Sequence, residues 1–228
     1  MAPRAPRGEA EGNRGTSEVP QSRKCAADSS LPVRRRNHVR RRGHRADARG
    51  RGGRPAPASA NPQVESNNAD ADFVAMMIPH HQQALILSRL APSRSTDSDV
   101  RALANRIDVE QGLEIYMMQS WQEWNGLEKT DPQQSYEEML QDPMMVEMMG
   151  MATPEELDQL SAATGNAFDV QYLRLMIKHH NGAIGMLTEV LTNGTDETIQ
   201  TWATDMLATQ YAQVQMMQKM LDDKTRTS

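Results

Sequence analysis

Two short runs in the sequence carry the same chemistry: Met77-Ile78-Pro79-His80-His81 and Met176-Ile177-Lys178-His179-His180. In each, a methionine stands four residues before a histidine, the spacing that brings two side chains together on one helix face and lets them reach one ion. Met76 stands in the same relation to His80, whereas Leu175 occupies the corresponding position of the second run. Thioether sulfur is a soft donor that selects Cu(I), and imidazole suits copper and zinc alike. Zinc or iron would instead ask for thiolates or carboxylates. The Glu-x-x-His motif of di-iron bundles is absent, so oxidase chemistry is not expected.

The elements that must position these residues follow from an internal repeat at an offset of 99 residues, which also places Asp70 on Asp169, Phe73 on Tyr172, Ala84 on Ala183, Gln111 on Gln210 and Met117-Met118 on Met216-Met217. No gap is needed over about fifty residues, the signature of a duplicated unit. Helical periodicity with start and stop residues predicts four long helices, over 70–91, 97–125, 168–192 and 196–222. Pro92 is expected to end the first and Asn193-Gly194 the third. The expected fold is all-α, a four-helix bundle of two duplicated helical hairpins, units 70–125 and 168–222 joined by a connector over 126–167.

On a helical wheel His80 and His81 straddle the apolar stripe of Phe73, Val74, Met77 and Ala84, and the repeat treats His179 and His180 alike. Pro79 falls on the opposite side, where a kink facing solvent is least costly. The second helix of each unit places polar side chains on its core stripe, Gln111 and Glu114 in one, Gln210 and Gln213 in the other. A buried polar group without a partner costs about 1–3 kcal/mol, so His80 and His179 are the expected partners. Such a contact would fix each imidazole tautomer and leave the other ring nitrogen for a metal. The competing expectation is that these histidines only satisfy the core and that the methionines only pack.

The connector holds Met144, Met145, Met148, Met149 and Met151, a strip that can be read as flexible soft ligands or as core. It also holds Thr153-Pro154-Glu155-Glu156, a helix start with proline at the first helical position.

Composition divides the 228 residues unevenly: residues 1–69 carry 15 Lys+Arg against 6 Asp+Glu, the remainder 10 against 24. The first segment, rich in Arg, Pro, Gly and Ala, cannot bury enough surface to fold and is expected to be disordered. Its arginine runs at 34–36 and 40–42 read as a solvated basic tail rather than a nucleic-acid site, and no nucleic acid is expected to bind the folded part. Ala58-Ser59-Ala60 has the form of a signal-peptidase site, but the apolar stretch of an export signal is missing, which suggests a different native start or reading frame. Cys25, the single cysteine, lies in this segment, so the remainder can form neither disulfides nor thiolate sites. No stretch approaches the roughly 20 apolar residues of a membrane span.

With Met-Ile-Pro-His-His ahead of Ala84, Phe168-Asp169 ahead of the second motif, Gln111-x-x-Glu114-Ile115 and Thr153-Pro154-Glu155-Glu156-Leu157, the chain resembles the family named domain of unknown function 305, over about residues 69–222. Its best-known members are the CopM-like copper-binding proteins. The resemblance implies a ferritin-like four-helix bundle, exported or lipid-anchored, that binds copper; from its motifs the chain is not expected to be an enzyme. It implies Met77, His81, Met176 and His180 as first ligands, with His80 and His179 next. Expected cargo is copper, Cu(I) ahead of Cu(II), with silver also compatible; a homo-oligomer is open. The alternative is a structural or protein-interaction bundle. Gln213 stands where the first unit has Glu114, so the halves are expected to be unequal.

Overall fold

The computed structural model describes residues 67–226; the basic segment with Cys25, the arginine runs and Ala58-Ser59-Ala60 lies outside the described residues. All regular structure among the described residues is helical: Asn68–Ser88 (α1), Ala91–Arg94 (α2), Ser98–Trp124 (α3), Pro132–Met139 (α4), Pro143–Met148 (α5), Pro154–Ala162 (α6), Gly165–Asn193 (α7) and Glu197–Arg226 (α8). The helix starts are set locally. Asn67 and Asp70 form a reciprocal capping box on α1, as Thr153 and Glu156 do on α6, while Asp97, Asp131 and Asp142 cap α3, α4 and α5 through their side chains. Each such cap satisfies backbone N–H groups that have no partner within the helix.

The four long helices match the four expected ones, with α7 starting earlier and α8 ending later. Pro92 does not end the first helix: α1 stops at Ser88, and Pro92 sits in the first turn of the short α2, where its missing N–H is tolerated. Neighbouring long helices run antiparallel. Arg89 meets Asp108 and His81 meets Glu114 along α1 and α3; His180 meets Gln213 and Val190 meets Gln200 along α7 and α8. Ser88 with Tyr172 and Asp70 with Thr195 fix the same sense between α1 and the second pair.

Two apolar clusters fill the interior. One gathers Ala84, Leu87, Ile107, Tyr172 and Met176, the other Phe73, Met77, Met118, Trp121, Ala183 and Leu187. Each therefore mixes residues of both halves, at about 1.5–3 kcal/mol for each large side chain withdrawn from water. The ends are tied by carboxylates related through the repeat. Asp70 Oδ2 accepts the N–H groups of Thr195 and Asp196 at the start of α8, while Asp169 and Asp97 share Lys224 Nζ at 2.8 and 2.9 Å.

The connector is part of the core, and this overturns the expectation for Pro79. Helix α1 runs through Pro79 unbroken and buries it. Met76 and Ile86, on the same side of α1, pack against Tyr136, Val146, Met149 and Met151, and Gln83 bonds to Ala152. The proline faces the connector instead of solvent. The methionine strip likewise divides: Met149 and Met151 are core, 2% and 0% exposed, Met145 is half-buried against them, and Met144 and Met148 are 80% and 68% exposed. No described helix is long and apolar enough to cross a membrane.

Candidate metal centre

All four histidines of the two motifs lie where α1 passes α7, each with 0% exposure. The rings of His80 and His179 stack at 3.7 Å between centroids, and the Nε2–H of His179 donates to the backbone carbonyl of His80 at 2.8 Å. His81 and His180 flank this pair, with ring centroids 6.2 Å from His80 and 6.0 Å from His179 respectively.

The Nε2 contacts fix the tautomers of His80, His179 and His180, because each of these faces an acceptor that cannot donate. His80 Nε2–H donates to the Met149 carbonyl at 3.0 Å. His180 Nε2–H donates to Gln213 Oε1 at 2.7 Å, and the amide is held in that sense because its Nε2 donates to the carboxylate of Glu110, also at 2.7 Å. His81 Nε2 lies 2.8 Å from Glu114 Oε2, off the line of a directed hydrogen bond, so the carboxylate acts there mainly as a charge. These contacts correct the expected pairing: Glu114 and Gln213 serve His81 and His180, whereas His80 and His179 use backbone carbonyls. Both amide atoms of Gln111 and the Oε1 of Gln210 are buried and meet no protein partner.

Burial keeps three of the rings, those of His80, His179 and His180, neutral. It pushes His80 down to about 3, with His81 nearby adding to the effect and the Met149 carbonyl opposing it. His180 is lowered to about 4, again chiefly by burial, with the Gln213 contact opposing. His179 lies well below the ordinary histidine value, through burial and then the proximity of His80.

In His80, His179 and His180, whose Nε2–H donates to an acceptor, the lone pair falls on Nδ1, and the Nδ1 atoms of all four histidines are buried without a hydrogen-bond partner. A neutral imidazole with one nitrogen anchored and the other lone pair open is the form that ligates a metal. The donor set thus fits a copper or silver ion in kind. It is paired rather than converged: no three His, Cys, Asp or Glu side chains are grouped to hold an ion among the described residues. Met77 and Met176, both fully buried, belong to different apolar clusters on either side of the histidines, and Met76 sits half-buried beside the connector.

Met149 and Met151 were expected as side-chain donors or core; that the backbone of Met149–Ala152 borders the site was not anticipated. Besides the Met149 carbonyl on His80, Ala152 exchanges two hydrogen bonds with Gln83, of 2.6 and 2.8 Å. On the α7 side the same segment lies so close that a Cβ on Gly182 would stand 1.8 Å from the Met149 carbonyl oxygen. A Cβ on Gly150, whose φ is +64°, would in turn stand 2.3 Å from the Lys178 carbonyl oxygen. The signal was present in the repeat as Gln83 facing Gly182 at the 99-residue offset, one side chain that reaches and one that is missing. Glu110 had no such signal, since Thr209 is its counterpart.

A helical fold with duplicated histidine pairs at its centre defines a class to which this chain belongs: the family described as Domain of unknown function (DUF305), whose model matches residues 70–221. Among solved structures, a presumed secreted DUF305 protein of Streptomyces coelicolor is 31% identical, over 69% of this chain and 94% of that one, with a TM-score of 0.60. A DUF305 fragment from Deinococcus radiodurans is 29% identical over 69% and 98%, with a TM-score of 0.62. CopM in its Cu(II)-bound form is 28% identical over 68% and 96%, with a TM-score of 0.57, and CopM has also been solved with Cu(I) and with silver. No curated protein matches the chain.

Proposed function

We propose that this protein binds copper, Cu(I) in preference to Cu(II) and zinc, and sequesters or delivers it in the cell envelope without catalysing a reaction. The observation that carries the reading is the set of four buried, partnerless Nδ1 atoms, three of them on histidines whose Nε2 is anchored by a hydrogen bond and the fourth on His81 beside the Glu114 carboxylate. Three of those rings are held neutral by burial. Interior methionines add soft donors within the same helices. The copper- and silver-bound structures of CopM support the reading, and the Streptomyces coelicolor relative supports an extracytoplasmic location. In this view residues 70–228 are the metal-binding domain, a ferritin-like four-helix bundle that arose by duplication of one helical hairpin. Ligation draws on His80, His81, His179 and His180 with Met77 and Met176, and requires a small rearrangement of the paired rings.

The deciding experiment is an anaerobic titration of the full chain with Cu(I) against a competing chelator, alongside Zn(II). Stoichiometric Cu(I) binding that weakens at least tenfold in Met77→Leu/Met176→Leu, with weak Zn(II) binding, is the expected result. Absence of Cu(I) binding in the folded protein would favour a structural or interaction bundle. The specific observation behind that second reading is that every histidine Nε2 already faces a protein acceptor.

A further inference from the structure

A cleft of about 220 Å³ opens at the surface between the start of α1 and the end of α7. Its walls include two thioethers, Met76 and Met186, and two carboxylates, Asp72 and Glu189. The carboxylates are exposed, and neither has an ion pair or hydrogen bond with a described residue. The thioethers are half-buried, and both also pack against the cluster built on Met149 and Met151, the connector that covers His80. Met76 in turn lies one helical turn before His80 on α1, so the two side chains share a face.

We infer that this cleft is a second, solvent-facing binding site that captures a soft monovalent cation and feeds it to the buried histidines. The chemistry divides between the two kinds of wall. Two carboxylates without a counter-charge raise the local concentration of cations, an effect that acts over a Debye length and falls with salt. They do not discriminate, since hard divalent ions respond to them equally. The thioethers supply the selection, because neutral sulfur binds d10 monovalent ions well and hard ions poorly. Both methionines line the cleft and are half-buried, so part of each side chain is open to solvent while the rest stays packed, as a site of reversible capture requires. Beyond Met76 the next donor inward on the same helix is His80. Met186 has no thioether counterpart in the first half, where Leu87 occupies its position, so the repeat does not duplicate this pair of thioethers.

The inference rests on the proposed copper-binding function, and the test separates the two. The full chain is loaded with Ag(I) and with Cu(I) under anaerobic conditions, read by native mass spectrometry for stoichiometry and by stopped flow for uptake rate. Met76→Leu/Met186→Leu should lose one equivalent of Ag(I) and retain the rest. Asp72→Asn/Glu189→Gln, which alters only exposed side chains and should fold normally, should slow uptake about tenfold at low ionic strength and not at 0.5 M salt. Ca(II) should slow uptake as other salts do but should not displace bound Ag(I) from the thioethers. If the wild type binds the metals and both variants match it in stoichiometry and rate, the port is wrong and the buried site stands. If the wild type binds neither metal, both readings fall.

Discussion

His179 donates its Nε2–H to the backbone carbonyl of His80, and the two rings stack at 3.7 Å. These residues are equivalent in the repeat, so the two halves meet at the position where each contributes the same side chain. The contact is nevertheless one-sided, because His80 turns its own Nε2 to Met149 instead of to the His179 carbonyl. One half of the duplicated pair binds the other half, and the other binds the connector.

His80→Ala should therefore cost more than His179→Ala. Removing His80 creates a cavity, ends the stack and leaves the Met149 carbonyl without its imidazole donor; removing His179 leaves a helix carbonyl that keeps its backbone partner. Each should destabilise by about 2–4 kcal/mol. A double-mutant cycle in urea should return a coupling of about 0.5–2 kcal/mol, since the rings touch. Strict additivity would show that the stack contributes nothing.

Gly182→Ala is expected to be among the most damaging single substitutions, because its Cβ would stand 1.8 Å from the Met149 carbonyl oxygen and 3.0 Å from Gly150 N. Either the connector lifts or α7 shifts, at a cost of about 3 kcal/mol or more. Hydrogen exchange over residues 143–152 should accelerate. Gly185→Ala is the control: nothing lies within 4 Å of its Cβ, and alanine should stabilise that exposed helical position by about 0.5–1 kcal/mol.

The apoprotein should lose stability as pH falls below neutrality. His80 and His180 are depressed to about 3 and 4, and His179 lies well below the ordinary value of 6.5. Above about pH 6.5 neither native nor unfolded chain protonates these rings, and stability is full. Between about pH 6.5 and 4 the unfolded chain takes up protons that the native state excludes. Stability then declines by up to about 1.4 kcal/mol per pH unit per histidine. Urea midpoints measured from pH 7.5 to 4.5 should fall steadily, and a flat profile would mean that the rings titrate normally in the fold.

Glu110→Gln should act on metal binding at a distance. Glu110 touches no histidine; it holds the Gln213 amide so that Oε1 faces His180. Glutamine in its place can donate as well as accept, and the amide of Gln213 loses its fixed sense. Copper affinity should drop about tenfold, within the range seen when groups behind a ligand are altered, with helix content unchanged by circular dichroism. Unchanged affinity would assign the Glu110–Gln213 bond a packing role only.

Much of the fold was legible because a duplication repeats its own evidence. The four long helices, the paired histidines and the Thr153 helix start could all be read from periodicity and capping residues. A wheel drawn for one helix, however, reports directions and not neighbours. It put Pro79 toward solvent because nothing in α1 says that residues 132–152 will cover that side. It also could not set the register of α3 and α8, which place Glu114 and Gln213 level with His81 and His180 rather than with His80 and His179. The methionine strip stayed open between soft ligands and core for the same reason: the sequence does not show that the docked connector buries Met149 and Met151 and leaves Met144 and Met148 outside.

Gln83 and Gly182 began, by their place in the repeat, as interchangeable positions, and the segment between the halves has made them opposites. One grips residue 152 with its side chain and the other clears room for residue 149 by having none. A chain assembled from two copies of the first half would drive a glutamine into the Met149 backbone. One assembled from two copies of the second would leave Ala152 unheld. Redesign of this scaffold therefore cannot treat it as a symmetric object: any grafting or shuffling of halves has to carry the connector with it, together with the one orientation in which it fits.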